Sequence, residues 1–307
     1  MGWCQYPLEL SEEEKKEIIK NNRKKYITKE RADANAAWCS YSKEVTVHIR
    51  LKDYIDNSFE GVVTSFTEGS KGTDCYDNIG VRSEATIVIP SGITSIEYHL
   101  VGGGGSCGMG GDGSRDCGIG ANGNGGKGGG RVSQAQAGEY KSNVSHPVTP
   151  GDVLNVKVGP GGVYLNYGTI CATYGLSSSI EFVTDNVIIE AAGGMGGNHG
   201  GDGSGCAGSS DGEPGANGQA GPDLTMFDPS YTGNPGSGGY GGGTNDSGGP
   251  GTSGSIPGAS AGGGGGGGGA EVFHSPGSGG AGASGGDGVC VIIMSGSASP
   301  TADEPWC

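Results

Sequence analysis

Glycine recurs at every third position in this chain, in separate short runs, and that spacing limits what the chain can fold into more than any other feature. Gly120–Gly129, Gly194–Gly203, Gly212–Gly221, Gly233–Gly242 and Gly279–Gly288 each carry four glycines three apart, and Gly248, Gly251 and Gly254 form a shorter run. A period of three is that of the polyproline II helix, which rises about 3.1 Å per residue and has no internal hydrogen bonds. Glycine at each third place leaves one face of that helix bare. A neighbouring backbone can then approach closely enough for N–H···O=C and Cα–H···O contacts. Gly194, Gly197, Gly200, Gly212, Gly215 and Gly218 are expected to form such faces. Gly262, Gly265 and Gly268, within the unbroken run Gly262–Gly269, are expected to form a bare helix at the crowded centre. Collagen uses the same physics over long repeats in three chains, whereas no strict run here exceeds four triplets. Several short helices packed side by side within one chain are therefore expected. Ordering each backbone residue costs about 1–2 kcal/mol, with glycine the worst case, so dense backbone hydrogen bonding has to offset it.

The glycines are unevenly spread: six of the 70 fall in residues 1–100. Strand signals bracket the glycine-rich segments. Val45, Val47, Ile49 and Leu51 alternate with Thr46, His48, Arg50 and Lys52, which predicts a half-buried strand, and Phe59–Phe66 is a second candidate. Residues 67–84 read as a polar connector. Ile96, Tyr98 and Leu100 alternate with Glu97, His99 and Val101; Leu154, Val156 and Val158 share one face; "SSSIEFVTDNVIIEAAGG" supplies two short strands and "GVCVIIM" a last one. The fold class expected is mainly β: a β-sandwich with glycine-rich insertions forming packed polyproline II helices. A small helix-plus-strand region (1–84) is expected to precede a glycine-rich domain (85–307).

Ser11 and Glu14 form a capping box that predicts a helix over about 12–38. Its narrow apolar stripe suits a coiled-coil seam or a partner surface, and equally a helix lying on the following strands. Residues 1–60 balance eleven Lys/Arg against eleven Asp/Glu, while from Val158 onward there are thirteen Asp/Glu and no Lys or Arg. The net charge of −15 thus belongs to the residues after position 60. An acidic surface without cations repels phosphate backbones, so nucleic acid is not an expected partner. No secretory signal is read at Met1–Leu10 and no apolar run has membrane-spanning length, so membrane insertion is not expected.

The nine cysteines show no metal spacing and read as buried or free thiols, with Cys107/Cys117 and Cys4/Cys39 as the pairs to check. Gly118–Gly123 satisfies GxGxxG but comes after no strand. The five histidines have no ligand or triad spacing, and Asp112 and Asp202 lack the nonapeptide spacing of calcium repeats. No enzyme, cofactor or metal is expected.

"TIVIPSGITSIEYHLVGGGGS", "TPGDVLNVKVGPGGV", "GLSSSI…IIEAAGGMGG" and "GGAGASGGDGVCVII", spread over Ala85–Ser295, resemble the glycine-rich domain of phage tail proteins. They are also similar to the glycine-rich distal adhesins of T-even-type tail fibres, which bind outer-membrane proteins through loops at the tips of a polyproline II sandwich. A related ectodomain occurs in anaplastic lymphoma kinase receptors, but no membrane span or kinase is read here. The resemblance implies a virion protein. Residues 1–84 would join it to other virion proteins as a homo-oligomer, and the rest would recognise a host cell-surface protein or glycan. A structural head-fibre or capsid decoration protein is the alternative. An ice-binding surface would need regularly spaced Thr or Ala, which the chain lacks. The resemblance places binding in the non-repeating interruptions: Leu224, Met226, Phe227 and Tyr231; Phe273 and His274; Tyr164, Tyr167 and Tyr174. The same aromatics could instead cap the helix bundle or fill the core.

Overall fold

The computed structural model describes residues 41–56, 62–73, 80–112, 134–167, 169–198, 200, 212–242, 246–260 and 277–298. The helix expected over 12–38, its cap Ser11/Glu14, the run Gly262–Gly269, and Phe273 and His274 lie outside these residues. The described residues hold no α-helix. Their strands, in chain order, are β1 (Tyr41–Ile49), β2 (Tyr54–Asp56), β3 (Val63–Thr67), β4 (Ser70–Lys71), β5 (Gly80–Val81), β6 (Ser83–Val88), β7 (Ile93–Val101), β8 (Tyr140–Pro147), β9 (Val153–Val158), β10 (Tyr164–Tyr167), β11 (Thr169–Ala172), β12 (Ser178–Phe182), β13 (Val187–Ala191) and β14 (Val289–Ala298). A first sheet has the order β2-β1-β14-β7-β8 and a second β13-β12-β9-β6-β3; β4-β5 and β10-β11 form small ladders. All pairings are antiparallel.

Period-2 alternation builds the sandwich. Val45, Val47 and Ile49 of β1, Cys290, Ile292 and Met294 of β14, and Ile96, Tyr98 and Leu100 of β7 point inward. They meet Ala85, Ile87, Leu154, Val156, Val158, Ile180 and Phe182 of the second sheet. The outer face of the second sheet is polar, with Lys157 Nζ 3.0 Å from Glu84 Oε1 and Asn155 Nδ2 donating to Glu181 Oε2 at 3.0 Å. Cys107 and Cys290 are free, buried thiols, and burial pushes both up from the usual thiol range.

The boundary expected after residue 84 does not hold where the chain is described. β1 lies between β2 and β14 in the first sheet, registered from Tyr41↔Ala298 to Ile49↔Cys290, and β3 pairs with β6 in the second. Strands β1, β2 and β3, all before residue 84, are thus part of the sandwich. The expected connector 67–84 contains β4, β5 and the start of β6, and the candidate strand Phe59–Phe66 is placed at Val63–Thr67. These pairings join residues up to 257 positions apart in sequence, for which local alternation carries no signal.

Beyond Val101 the chain keeps its partners but changes its repeat. The ladder Val101↔Val289 continues as Gly104, Cys107 and Gly110 donating to the carbonyls of Gly286, Ala283 and Gly280 at 2.9–3.0 Å. The ladder Val101↔Tyr140 continues as Gly102 and Gly105 donating to Glu139 and Gln136 at 3.0 and 2.9 Å. The intervening Gly103 and Ser106 donate to Leu176 and Thr173 at 3.0 and 3.1 Å. Six consecutive N–H groups therefore turn through three neighbours in strict rotation. That is the geometry of a helix with three residues per turn, whose successive donors point about 120° apart.

The other three directions are filled by Cα approaches. A Cβ on Gly102, Gly103, Gly104 or Gly105 would lie 2.1, 2.1, 2.3 or 2.0 Å from the carbonyl oxygens of Ala192, Pro160, Ala259 and Met195. Residues 102–105 are thus enclosed by backbone on all sides. The bundle continues the strand order of the sandwich.

The acidic bundle draws its cationic partners from elsewhere in the chain. Lys71 Nζ donates to the Gly285 carbonyl at 3.0 Å and sits 3.2 Å from Asp287 Oδ1, which also accepts the Gly161 N–H at 2.9 Å. Arg82 donates to the Ser177 carbonyl and hydroxyl at 2.8 and 2.7 Å. Replacing Lys71 by Met is expected to cost about 1 kcal/mol, since the pair is partly exposed, and to lessen the salt dependence of stability. Urea midpoints at low and high salt check this.

Candidate functional site

Two glycine helices run antiparallel and support one loop. Gly212, Gly215, Gly218 and Gly221 donate to Gly242, Gly239, Gly236 and Gly233 at 2.7–3.0 Å. In return, a Cβ at Gly238 or Gly241 would meet the carbonyls of Gly215 and Gly212 at 2.0 and 1.8 Å. Gly194 abuts the Gln136 carbonyl, and Gly197 and Gly200 donate to Ser106 and Met109.

Between the paired helices, residues 222–232 form a strap closed by Leu224 N–H donating to the Tyr231 carbonyl at 2.9 Å. Asp223 Oδ1 accepts the Thr225 N–H at 3.0 Å, and Asp228 Oδ1 accepts the Ser230 hydroxyl and N–H at 2.7 and 2.8 Å. These bonds hold both carboxyls below the usual carboxylate range: the Thr225 backbone first at Asp223, the Ser230 hydroxyl first at Asp228. Gly233, with φ 58° and the Pro222 carbonyl 2.3 Å from where a Cβ would stand, lets the chain leave the strap.

The strap lies on the outer face of the first sheet. Leu224 and Tyr231, 2% and 0% exposed, pack on Val101, Val289 and Val291, with Phe227, Ile256 and Ile293 at the margin. This corrects the reading of Leu224 and Tyr231 as surface contacts. They are core residues, and Phe227 is half-buried. The run "GVCVIIM" carries the signal that was missed: it is apolar at every position, so both faces of β14 need cover, and the strap covers the second. Along β1 and the residue after it the expected alternation holds, with Glu44 exposed and Thr46 and Arg50 part-exposed, except at one position. His48, on its outer side, is 2% exposed.

Two histidines lie beneath the strap. The Tyr231 ring stands 5.7 Å from that of His48 and the Phe227 ring 4.5 Å from that of His99. His99 is satisfied at both nitrogens, with Nδ1 2.6 Å from Tyr140 Oη and Nε2 2.8 Å from Glu97 Oε1. His48 Nδ1 and Tyr231 Oη have no partner. Burial lowers the His48 imidazole from its ordinary value.

Of the other expected contacts, Met226 is 77% and Tyr174 63% exposed. Tyr164 is half-buried with its ring against Gly282, and Tyr167 pairs through its backbone with Thr169. The sequence reading did not include Tyr240, 70% exposed with its ring edge against Gly249, or Met195, 50% exposed. Both are large side chains at non-glycine places within glycine triplets, which is the pattern that could have found them. Among the described residues no three His, Cys, Asp or Glu come together as metal ligands, and no helix is long and apolar enough to cross a membrane.

The fold and surface define a β-sandwich prolonged by a backbone-bonded glycine bundle that displays isolated large side chains. Residues 80–295, more than two thirds of the chain, match the model of the family described as a glycine-rich domain, and the chain belongs to that family. No curated protein matches it.

Proposed function

We propose that the chain is a phage virion protein, a fibre or tail-tip component that recognises a host-surface protein or glycan through its glycine-rich domain. Its N-terminal part, within residues 1–84, would attach it to the particle. The observation that carries the reading is the display of Met226, Tyr174 and Tyr240, large exposed side chains on a bundle held by its own backbone. A backbone that is already ordered loses little further entropy on binding, and large side chains displayed on it act as contact anchors.

The test is competition. Purified chain added to host cells is expected to slow adsorption of the parent phage on the order of tenfold, and a Met226→Asp/Tyr174→Ser/Tyr240→Ser variant is expected not to compete. Unchanged adsorption, together with antibody label on the head or none on the particle, would reject this reading; label on the head would favour the decoration role.

A further inference from the structure

The strap covers an apolar sheet face with no metal, disulfide or ion pair among its described contacts, and it lays an aromatic ring on a buried imidazole. We propose that the strap 222–232 is an acid-released cover: protonation of His48 unseats Tyr231 and opens the outer face of the first sheet. The proposal does not depend on what the chain binds.

The geometry rests on His48. Its ring is enclosed by Tyr231 above and by β strands on both sides, where it stands opposite Val291 of β14 and Ile55 of β2. Neither neighbour can accept a proton, and Nδ1 has no partner. A proton added there creates a buried donor and a buried charge together, which the closed strap cannot satisfy and water can.

The charged groups around it are few. On β1's own side stands Arg50, paired with Asp53 at 2.7 and 2.8 Å, and its guanidinium also disfavours a cationic ring. From the strap, Asp228 favours the cation, but its Oδ1 is engaged by Ser230, and burial outweighs it. On β7, His99 keeps acceptors on both nitrogens, Glu97 and Tyr140, so the closed strap leaves no donor unmet there.

Linkage sets the sign. The closed state lowers the His48 imidazole below its ordinary value of about 6.5, so the open state binds the proton better. Closure is therefore complete above that value and weakens as the pH falls through it. Opening would expose Val101, Val289 and Val291 as an apolar surface.

Hydrogen exchange of the full chain at about pH 7.5 and about pH 5, corrected for intrinsic rates, tests the proposal. The amides of Leu224, Phe227, Tyr231 and Gly233 are expected to lose protection on the order of tenfold at the lower pH while the β7–β14 ladder keeps its own. In His48→Phe, which keeps a ring but cannot be protonated, strap protection is expected to be flat. Equal protection at both pH values in the native chain, or the same loss in His48→Phe, would overturn the proposal. NMR titration of the native chain gives a second measurement that needs no variant. The Tyr231 ring signals are expected to track the His48 midpoint, and a His48 midpoint at or above the ordinary imidazole value would reject the latch.

Discussion

Gly103→Ala is expected to destabilise the protein by about 3 kcal/mol or more, read as a lowered urea midpoint. The new methyl would stand 2.1 Å from the Pro160 carbonyl oxygen and 2.9 Å from the Gly161 nitrogen. Neither is a flexible side chain that can turn away. Moving the helix aside would stretch the bonds from Gly103 N–H to Leu176 and from Gly194 N–H to the Gly103 carbonyl, now 3.0 and 2.8 Å. Gly151→Ala is the control. Gly151 has φ 92° and nothing within 4 Å of the added Cβ, so only the backbone cost of about 1–2 kcal/mol applies. Equal losses at the two sites would mean that the bundle tolerates a wider spacing and that its glycines are not packing residues.

Tyr231→Ala is expected to cost about 3–5 kcal/mol, because the ring is fully buried among Val101, Leu224, Val289 and Val291 and its removal leaves a cavity at the centre of the strap. Tyr231→Phe is expected to be close to neutral, since the hydroxyl it removes is buried without a partner. Thermal unfolding of the two variants separates them. The contrast bears on function as well: Met226 on the same strap is exposed, so Met226→Asp is expected to leave the midpoint within about 0.5 kcal/mol of the native value. Anchoring and display are thus divided between neighbouring side chains of one loop.

Much of this was legible locally. Alternation in "SIEYHL" and "VLNVKV" located β7 and β9 and named their inward residues, because a pleated strand buries every second side chain, and "SSSIEFVTDNVIIEAAGG" located β12 and β13 without their inward faces. The aromatic island "LTMF" with "SY" was visible as an interruption, but its orientation was not. Leu224 and Met226 are two residues apart and equally apolar, yet one is 2% and the other 77% exposed. Only the sheet beneath distinguishes them. Likewise nothing near His48 in sequence shows that Tyr231 will lie on it, 183 positions away.

The period-three glycines alone set the kind of packing this chain adopts, because a bare helix face at each turn allows backbones to meet and excludes a side-chain core. Which backbones meet is another matter. Val101 pairs with Val289 and Tyr140, and only that strand order selects the helices that surround Gly102–Cys107. Glycine has no side chain with which to encode a partner, so the identity of each neighbour is carried by the apolar strands on which the bundle is built.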